Sequence, residues 1–427
     1  MSRLCSRGFI ALCLLFAVPL GAGAATQGTW GQTYFDAGHT GYNPSETTLS
    51  PSNIATVQLL WGQSVPGGTL SFALDRGVIY AEGQGSSTPV LEAINASTGS
   101  VLWTTTTGND GYFLQGTIAV AKGLVFTGCG LNIDGNPGGI CAYSEATGTQ
   151  VWNYIPDCKC LPNNPVSGPL VYSNGAVYFG DGGFPSHSDP YAAALSASSG
   201  QLLWGYDPGP QSIGGGAFAV GDGLVFFSCN PNGNVVGACA LNQSTGNLAW
   251  TYTTGDSNTQ FTFDKGVLYA SVSSRSNVSI TALKAADGTL LWSYPYVGDN
   301  FTARPVAIAK GRIYFTGTDG NLYALHAKTG KLIWSDTLNT SCSALSAPSV
   351  ANGVIYVDQQ GSNCPEVSAF ATSNGALLWN NPDPGSTLYP PPIIAGGVLY
   401  IPNGACGSVC AYGLPGAARR RTFRVIR

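Results

Sequence analysis

The sequence predicts an all-β protein, an eight-bladed β-propeller built of four-stranded antiparallel blades. Eight tryptophans recur at intervals of 42 to 52 residues, and a small turn ending in glycine precedes all but the first of them. Earlier in each repeat comes a glycine, two mainly apolar residues and an aromatic residue, at Gly77–Tyr80, Gly123–Phe126, Gly175–Tyr178, Gly223–Phe226, Gly266–Tyr269, Gly311–Tyr314, Gly353–Tyr356 and Gly397–Tyr400. Repeats of about 40 to 50 residues with four short strands each are typical of propeller blades.

Composition supports this fold class. Only 9% of the 427 residues are charged, whereas solvent-facing helices usually carry many Glu, Lys and Arg side chains. Hydrophobic residues make up 44% of the chain, which excludes a disordered protein. The 58 glycines and the many Thr, Ser, Asn, Val and Tyr residues are typical of short strands joined by tight turns.

The sixth repeat shows how each blade divides into strands. We predict strands at Pro305–Ala309, Arg312–Gly317, Leu322–His326 and Lys331–Ser335. The turn before the second strand of the repeats has the form Asn-Gly, Asp-Gly, Lys-Gly or Arg-Gly, which suits the positive φ angles of a two-residue hairpin.

The two ends of the repeat region complement each other. Gln58–Trp61 has the pattern of a fourth strand, but no first three strands precede it. The last repeat ends after its third strand, at Ser408–Tyr412, without a tryptophan strand. We therefore expect the N-terminal strand to complete the C-terminal blade and to close the ring without a covalent bond.

The N-terminus has the features of an export signal. Arg3 and Arg7 precede an apolar run, Phe9–Val18, that is too short to span a bilayer. Small residues follow up to Ala24, where we expect cleavage. We therefore predict a signal peptide at 1–24, no membrane span, and a secreted protein in the periplasm or outside the cell.

The rest of the chain divides into three parts. A leader at 25–56, which contains His39 without an expected functional role, precedes a propeller at 57–414 and a basic, disordered tail at 415–427. Seven of the 18 Lys and Arg residues lie in the signal or the tail, which leaves 11 basic against 22 acidic residues in the body. An acidic body argues against nucleic-acid binding, and we expect a monomer.

The two faces of the predicted ring differ. The turns between strands one and two and between strands three and four form a short-turn face. The connections between strands two and three, and from strand four to the next blade, form a long-loop face that holds all ten cysteines of the mature chain. In an exported protein an even number of cysteines favours disulfides over a metal site. We predict the pairs Cys129–Cys141, Cys229–Cys239, Cys342–Cys364 and Cys406–Cys410; the pairing of Cys158 with Cys160 remains open.

The long-loop face also holds the candidate site residues. His187 lies near Asp181 and Asp189, a combination that suits a metal ligand or a general base, although a solvated loop histidine is the more ordinary interpretation. Arg304 opens a first strand, so we expect it near the axial channel, where it would meet an anion. The alternative for Arg304 is a structural ion pair with Asp299 that braces the loop.

The repeat resembles a known family. Ala324–Trp334 and the lead-in Thr40–Leu49 are similar to the tryptophan-docking repeat of pyrroloquinoline quinone (PQQ) propellers, the quinoprotein alcohol dehydrogenase-like family. The resemblance covers residues 36 to 413 and implies an eight-bladed ring in which each tryptophan packs against the next blade. It assigns this docking role to Trp61, Trp103, Trp152, Trp204, Trp250, Trp292, Trp334 and Trp379.

Departures from that family set the functional prediction. The adjacent cysteine pair of its alcohol dehydrogenases is absent, and the nearest approach is Cys158-Lys159-Cys160. No haem-binding Cys-x-x-Cys-His motif exists, and the propeller lipoprotein of outer-membrane assembly, which the chain also resembles, has a lipid-anchor cysteine that this chain lacks. We therefore predict a non-catalytic module that binds a protein or glycan through its long-loop face, with no assigned cofactor. The alternative is a dehydrogenase that uses PQQ and calcium to oxidise an alcohol or sugar.

Overall fold

Strands make up nearly all of the regular structure. A computed structural model of the chain describes residues 28–83, 88–108, 118–129, 139–155, 170–180, 192–206, 218–229, 237–254, 258–273, 278–296, 304–317, 319–338, 343–344, 347–360, 364–381, 390–404 and 406–416. Within these ranges the chain forms 34 strands and one short 3₁₀ helix, Ile54–Thr56. The predicted signal peptide and most of the predicted basic tail lie outside the described residues.

The strands form eight four-stranded blades. Blades 1 to 4 consist of β3 Ser71–Asp75, β4 Val78–Gly83, β5 Val90–Asn95 and β6 Val101–Thr106; β7 Ala119–Ala121, β8 Leu124–Cys129, β9 Gly139–Ser144 and β10 Gln150–Tyr154; β11 Val171–Ser173, β12 Ala176–Gly180, β13 Ala192–Ser196 and β14 Leu202–Tyr206; and β15 Ala219–Gly221, β16 Leu224–Cys229, β17 Gly237–Asn242 and β18 Leu248–Thr253. Blades 5 to 8 consist of β19 Asn258–Asp264, β20 Val267–Ser273, β21 Val278–Lys284 and β22 Leu290–Pro295; β23 Ala307–Ala309, β24 Arg312–Thr316, β25 Asn321–His326 and β26 Leu332–Thr337; β28 Ser349–Ala351, β29 Val354–Gln360, β30 Val367–Ala371 and β31 Leu377–Asn380; and β32 Ile393–Ala395, β33 Val398–Gly404, β34 Gly407–Gly413 and β2 Gln58–Gln63.

The predicted fold class is confirmed. Each blade is an antiparallel sheet, and the first strand of each blade lies at one edge and the fourth at the other. Blade 7 gains two short additions, β1 Tyr42–Asn43 beside β28 and β27 Ser343–Ala344 beside β29. In the sixth repeat every strand boundary lies within two residues of the predicted one.

The ring closes as predicted. β2 pairs antiparallel with β34, with Gln58 opposite Gly413 and Gly62 opposite Cys410. The N-terminal strand is therefore the outer strand of blade 8. This pairing covers the edge that the last repeat would otherwise leave open, and open edges are prone to unwanted strand pairing.

The turn between strands one and two keeps one conformation around the ring. In blade 3 its central residues, Asn174 and Gly175, have φ angles of 51° and 84°. Two positive φ angles in succession define the type I′ turn, whose twist matches that of the flanking strands. The repeated residue-Gly pair therefore predicts the turn because glycine adopts this conformation without a steric cost.

The tryptophans join neighbouring blades. Trp152 is buried, its Nε1 donates a hydrogen bond of 2.9 Å to the carbonyl oxygen of Ala197, and its ring lies over Gly200. The same indole-to-carbonyl bond across a blade boundary is made by Trp61, Trp103, Trp204, Trp250, Trp292 and Trp334. For Trp379 the described contact is an edge-on packing against Tyr412 of blade 8.

A β-bulge accompanies each docked tryptophan. In blade 3 the register shifts so that Leu202 and Trp204 face consecutive residues of β13, with Leu203 as the extra residue. Both leucines consequently point outward and are 42% and 54% exposed. The bulge turns the tryptophan toward the next blade and leaves aliphatic side chains on the circumference.

Candidate functional site

The leader runs through the centre of the ring. Its backbone and side chains hydrogen-bond to the innermost strand of every blade in chain order, through the pairs Trp30–Leu74, Gly31–Val120, Gln32–Tyr172, Ala37–Val220, Gly38–Phe263, Thr40–Ile308, Gly41–Val350 and Asn43–Ile394. Residues 30–43 therefore occupy the axial channel. We call them the plug.

The plug satisfies backbone groups that a propeller leaves open. Apart from the plug, the first strand of each blade has a partner on one side only, so its other edge would face the axis with unpaired N–H groups. In seven of the eight contacts a plug carbonyl oxygen, or the side-chain oxygen of Gln32, accepts from a main-chain N–H of the inner strand at 2.6 to 2.9 Å. The plug therefore acts as an additional strand that curves around the axis and hydrogen-bonds to the inner strand of each blade.

The plug backbone adopts an uncommon conformation. Tyr34, Phe35 and His39 have φ angles of 59°, 83° and 59°. Such angles are unfavourable for bulky residues and persist only where surrounding contacts enforce them. Here the amide of Gly41 donates to the Tyr34 carbonyl oxygen at 2.9 Å, and Phe35 packs edge-on against Trp30 at 5.1 Å between ring centroids.

Arg304 lies beside the plug. It precedes the inner strand of blade 6 by three residues, on the side of the long-loop face, and is half-buried. Burial lowers the pKa of the guanidinium, while its electrostatic interaction with Asp358 and with the phenols of Tyr34 and Tyr296 opposes that shift. Asp358, from blade 7, is buried. These four residues, contributed by three blades and the plug, form what we call the axial cluster.

The phenols of the axial cluster stay neutral. Burial raises the pKa of Tyr34 to about 12, with Arg304 opposing the shift, and burial also raises the pKa of Tyr296 to about 12. A neutral phenol donates a hydrogen bond, and a guanidinium donates several in a planar fork. The cluster therefore presents cationic and neutral donors suited to a carboxylate or similar anion, with Asp358 offsetting part of the positive charge.

His39 of the plug is fully buried. Its ring packs against Tyr34 at 5.4 Å between centroids, and neither ring nitrogen has a hydrogen-bond partner among the described residues. Burial lowers its pKa to about 3. The imidazole is thus neutral over most of the pH range.

The structure covers one of the five predicted site residues. Arg304 lies beside the plug, and its predicted contact with an anion stays a prediction. Asp181, His187, Asp189 and Asp299 lie outside the described residues, so their roles stay predictions. Tyr34 and Tyr296 were not predicted as site residues, because one belongs to a leader without a repeat pattern and the other follows an outer strand.

Disulfides reinforce the long-loop face. Cys129–Cys141, Cys229–Cys239 and Cys406–Cys410 are bonded, with Cα–Cα distances of 5.7 to 5.8 Å. Cys364 is also in a disulfide, whereas Cys342, Cys158 and Cys160 lie outside the described residues. These bonds are typical of a chain that folds in an oxidising compartment such as the periplasm or the extracellular space.

Two observations bear on whether the described residues could hold a quinone with calcium. Pyrroloquinoline quinone is a tricarboxylate, whereas Arg304 of the axial cluster is already close to the negative charge of Asp358. In the described ranges no three His, Cys, Asp or Glu side chains are placed to hold a metal ion.

The described part of the chain has no helix with the length and apolar character needed to cross a membrane.

Three features define a PQQ-type propeller: the eight blades, the tryptophans that dock between blades, and the N-terminal strand that completes the last blade. The sequence model of one such family, described as outer membrane protein assembly factor BamB, matches residues 46–185 and 188–412, and the chain belongs to this family.

Relatives of the chain include enzymes. It is 36% identical over 135 residues to the dehydrogenase subunit of the quinone alcohol dehydrogenase of Gluconobacter oxydans, a match covering 27% of this chain and 17% of that protein. It is 25% identical over 287 residues to the tetrathionate hydrolase of Acidithiobacillus ferrooxidans, covering 58% and 55%. The chain thus spans about half or less of the length of these relatives.

A solved structure shares the fold. The quinohemoprotein alcohol dehydrogenase of Comamonas testosteroni superimposes with a TM-score of 0.66 and 16% identity, over 93% of this chain and 82% of that one. At this identity the likeness shows the fold alone.

Proposed function

We propose that this propeller is an exported binding module. Its long-loop face engages a protein or glycan partner, and Arg304 contacts an anionic group of that partner at the mouth of the channel. The observation that carries the proposal is the axial cluster, in which one half-buried guanidinium and two neutral phenols lie beside the plug. Disulfides that stiffen the same face support it, because rigid loops lose less entropy on binding.

A second candidate function is oxidation of an alcohol or sugar with PQQ and calcium. The identity of 36% to the Gluconobacter oxydans dehydrogenase subunit favours it. Against it weighs the negative charge of Asp358, which partly offsets the positive charge of Arg304 that a tricarboxylate would need. A binding role also agrees with the family description as an assembly factor.

One experiment separates the two functions. Purified protein is titrated with PQQ and calcium while the quinone absorbance is followed, and alcohols, sugars and tetrathionate are then supplied, the first two with an electron-accepting dye. Saturable quinone binding with dye reduction, or tetrathionate hydrolysis, would overturn the binding-module proposal. We expect neither.

A second experiment tests the binding face. A photo-crosslinking amino acid at Thr337, at the long-loop end of β26, is compared with one at Lys265, in a short turn of the opposite face, in the cells that make the protein. We expect a discrete crosslinked product from position 337 only. Arg304→Gln should abolish it, whereas Arg76→Gln, an exposed arginine on the short-turn face, should not. Equal products from both faces would contradict the proposal.

A further inference from the structure

The hairpin of blade 8 carries a disulfide with an unusually small ring. Cys406 lies in the turn between β33 and β34, and Cys410 lies within β34, so three residues separate them. The other two described pairs are 10 and 12 residues apart in sequence. Cys410 is fully buried, whereas Cys406 is half-buried. The two sulfurs therefore differ in their access to solvent.

The Cys406 sulfur lies beside an exposed glycine of the outer strand. A Cβ atom on Gly62 would lie 2.7 Å from Cys406 Sγ, and Gly62 is itself exposed. Gly62 has no side chain that would cover the sulfur on this side.

A buried carboxylate adjoins the other sulfur. Glu366, which precedes β30 of blade 7, is fully buried. A Cβ on Gly404 would lie 2.6 Å from Cys410 Sγ and 2.8 and 2.9 Å from the two carboxylate oxygens of Glu366. Asn381 Nδ2 donates to Glu366 Oε2 at 2.7 Å and so holds the carboxyl group in place. The sulfur and the carboxyl group are thus neighbours across a glycine.

A buried sulfur that is released from a disulfide needs a proton donor close by. When a thiolate attacks one sulfur of a disulfide, the other leaves as a thiolate. A thiolate in apolar surroundings is unfavourable, because burial disfavours the charged form. An adjacent carboxylic acid can supply a proton to the sulfur, which moves the negative charge to a carboxylate that accepts a hydrogen bond from Asn381.

We propose that Cys406 and Cys410 form a dithiol–disulfide exchange site in which Glu366 carries the proton of Cys410. The thiolate of an external dithiol bonds to Cys406 Sγ, the bond between Cys406 and Cys410 breaks, and its electron pair goes to Cys410 Sγ, which takes a proton from the acid form of Glu366. The second thiolate of the reductant then displaces Cys406, which is protonated from solvent, as is Glu366. The protein disulfide is reduced to two thiols while the external dithiol is oxidised to a disulfide.

The chain supplies an internal control. Cys229 and Cys239 are both fully buried and pack in an apolar cluster with Phe218 and Leu241. Folded protein is equilibrated with mixtures of reduced and oxidised dithiothreitol, free thiols are alkylated, and each cysteine peptide is quantified by mass spectrometry. We expect Cys406 and Cys410 to be alkylated at a ratio of reduced to oxidised reagent at least about tenfold lower than Cys229 and Cys239. Equal ratios for the two pairs would overturn the proposal.

The role of Glu366 has its own test. The rate of reduction is followed against pH for the wild type, Glu366→Gln and Glu366→Asp. We expect Glu366→Gln to slow reduction about tenfold below pH 7 and Glu366→Asp to keep most of the wild-type rate, since it retains an acid. If Glu366→Gln does not fold, the dependence of the wild-type reduction rate on pH tests the role of Glu366. Without a proton donor in the protein, that rate would follow only the ionisation of dithiothreitol. A wild-type rate that follows only the ionisation of dithiothreitol, or an unchanged rate in Glu366→Gln, would contradict the role of Glu366 as a proton donor.

Discussion

Trp152 of blade 2 and Ala197 of blade 3 are joined by a 2.9 Å hydrogen bond from the indole nitrogen to the main-chain carbonyl oxygen. Both residues are buried, so water does not replace a lost donor. The bond therefore links two sheets that have no strand pairing with each other.

Replacing Trp152 by phenylalanine should destabilise the ring. The variant keeps most of the apolar ring but leaves the Ala197 carbonyl oxygen without its donor, at a cost of about 1 to 3 kcal/mol. Chemical denaturation should show a lower unfolding midpoint. Leu203→Ala, at an outward position of blade 3 that is 54% exposed, should stay within about 0.5 kcal/mol of the wild type. Equal midpoints for Trp152→Phe and the wild type would contradict the prediction.

Two glycines of blade 3 allow the cost of crowding a tryptophan side chain to be measured apart from the cost of an unfavourable backbone conformation. Gly200 and Gly175 have φ angles of 70° and 84°. A Cβ on Gly200 would lie 2.5 Å from Trp152 Cε3, whereas one on Gly175 would meet nothing within 4 Å. Gly175→Ala should therefore cost only the conformational term, about 1 to 2 kcal/mol. Gly200→Ala should cost clearly more in the same denaturation experiment, and similar losses would refute the importance of the close approach.

His39 should make stability depend on pH. Its pKa is lowered from 6.5 to about 3 by burial, so below pH 6.5 the unfolded chain takes up a proton that the folded chain does not. Stability should therefore fall between pH 6.5 and about 3, by an amount on the order of 5 kcal/mol. Burial raises the pKa of Asp36 and of Glu92, which acts in the opposite direction.

A pair of variants isolates the histidine. His39→Asn suits the positive φ angle and does not titrate, so its thermal midpoint should fall less than that of the wild type on acidification. His326→Asn, at an exposed position, should keep the wild-type pH dependence. An unchanged slope in His39→Asn would show that the buried imidazole is not the cause.

The plug should protect the inner strands from hydrogen exchange. The side-chain oxygen of Gln32 accepts from the amide of Tyr172 at 2.9 Å. Gln32→Leu removes the acceptor, and the Tyr172 amide should exchange about tenfold faster because its local opening becomes easier. Gln201→Leu, an exposed glutamine of the same blade, should leave that amide unchanged. Unaltered exchange in Gln32→Leu would mean that the plug does not protect this strand.

Repetition made most of the fold predictable. A residue-Gly pair such as Asn174–Gly175 predicts one turn type, and a tryptophan such as Trp152 predicts one blade boundary, because each depends on local backbone geometry. The pairing of Gln58–Trp61 with the last blade could be predicted because the last repeat lacks a fourth strand and the N-terminal segment has the pattern of one.

The plug and the axial cluster were not predictable in the same way. The plug is held mainly by main-chain hydrogen bonds, so its side chains show no period, and its positive φ angles fall on Tyr34, Phe35 and His39 rather than on glycine. Arg304 was placed near the axis by its position in the repeat. Its neighbour Tyr34 is 270 residues away in sequence, and no local pattern joins the two.

The plug also sets the order in which the molecule is completed. Residues 30–43 are synthesised before any blade, yet their last partner, Ile394, lies in the eighth. Contacts of such long sequence separation form slowly, because a large loop must close first. A segment that is made before the blades therefore completes its contacts only when the last blade is present.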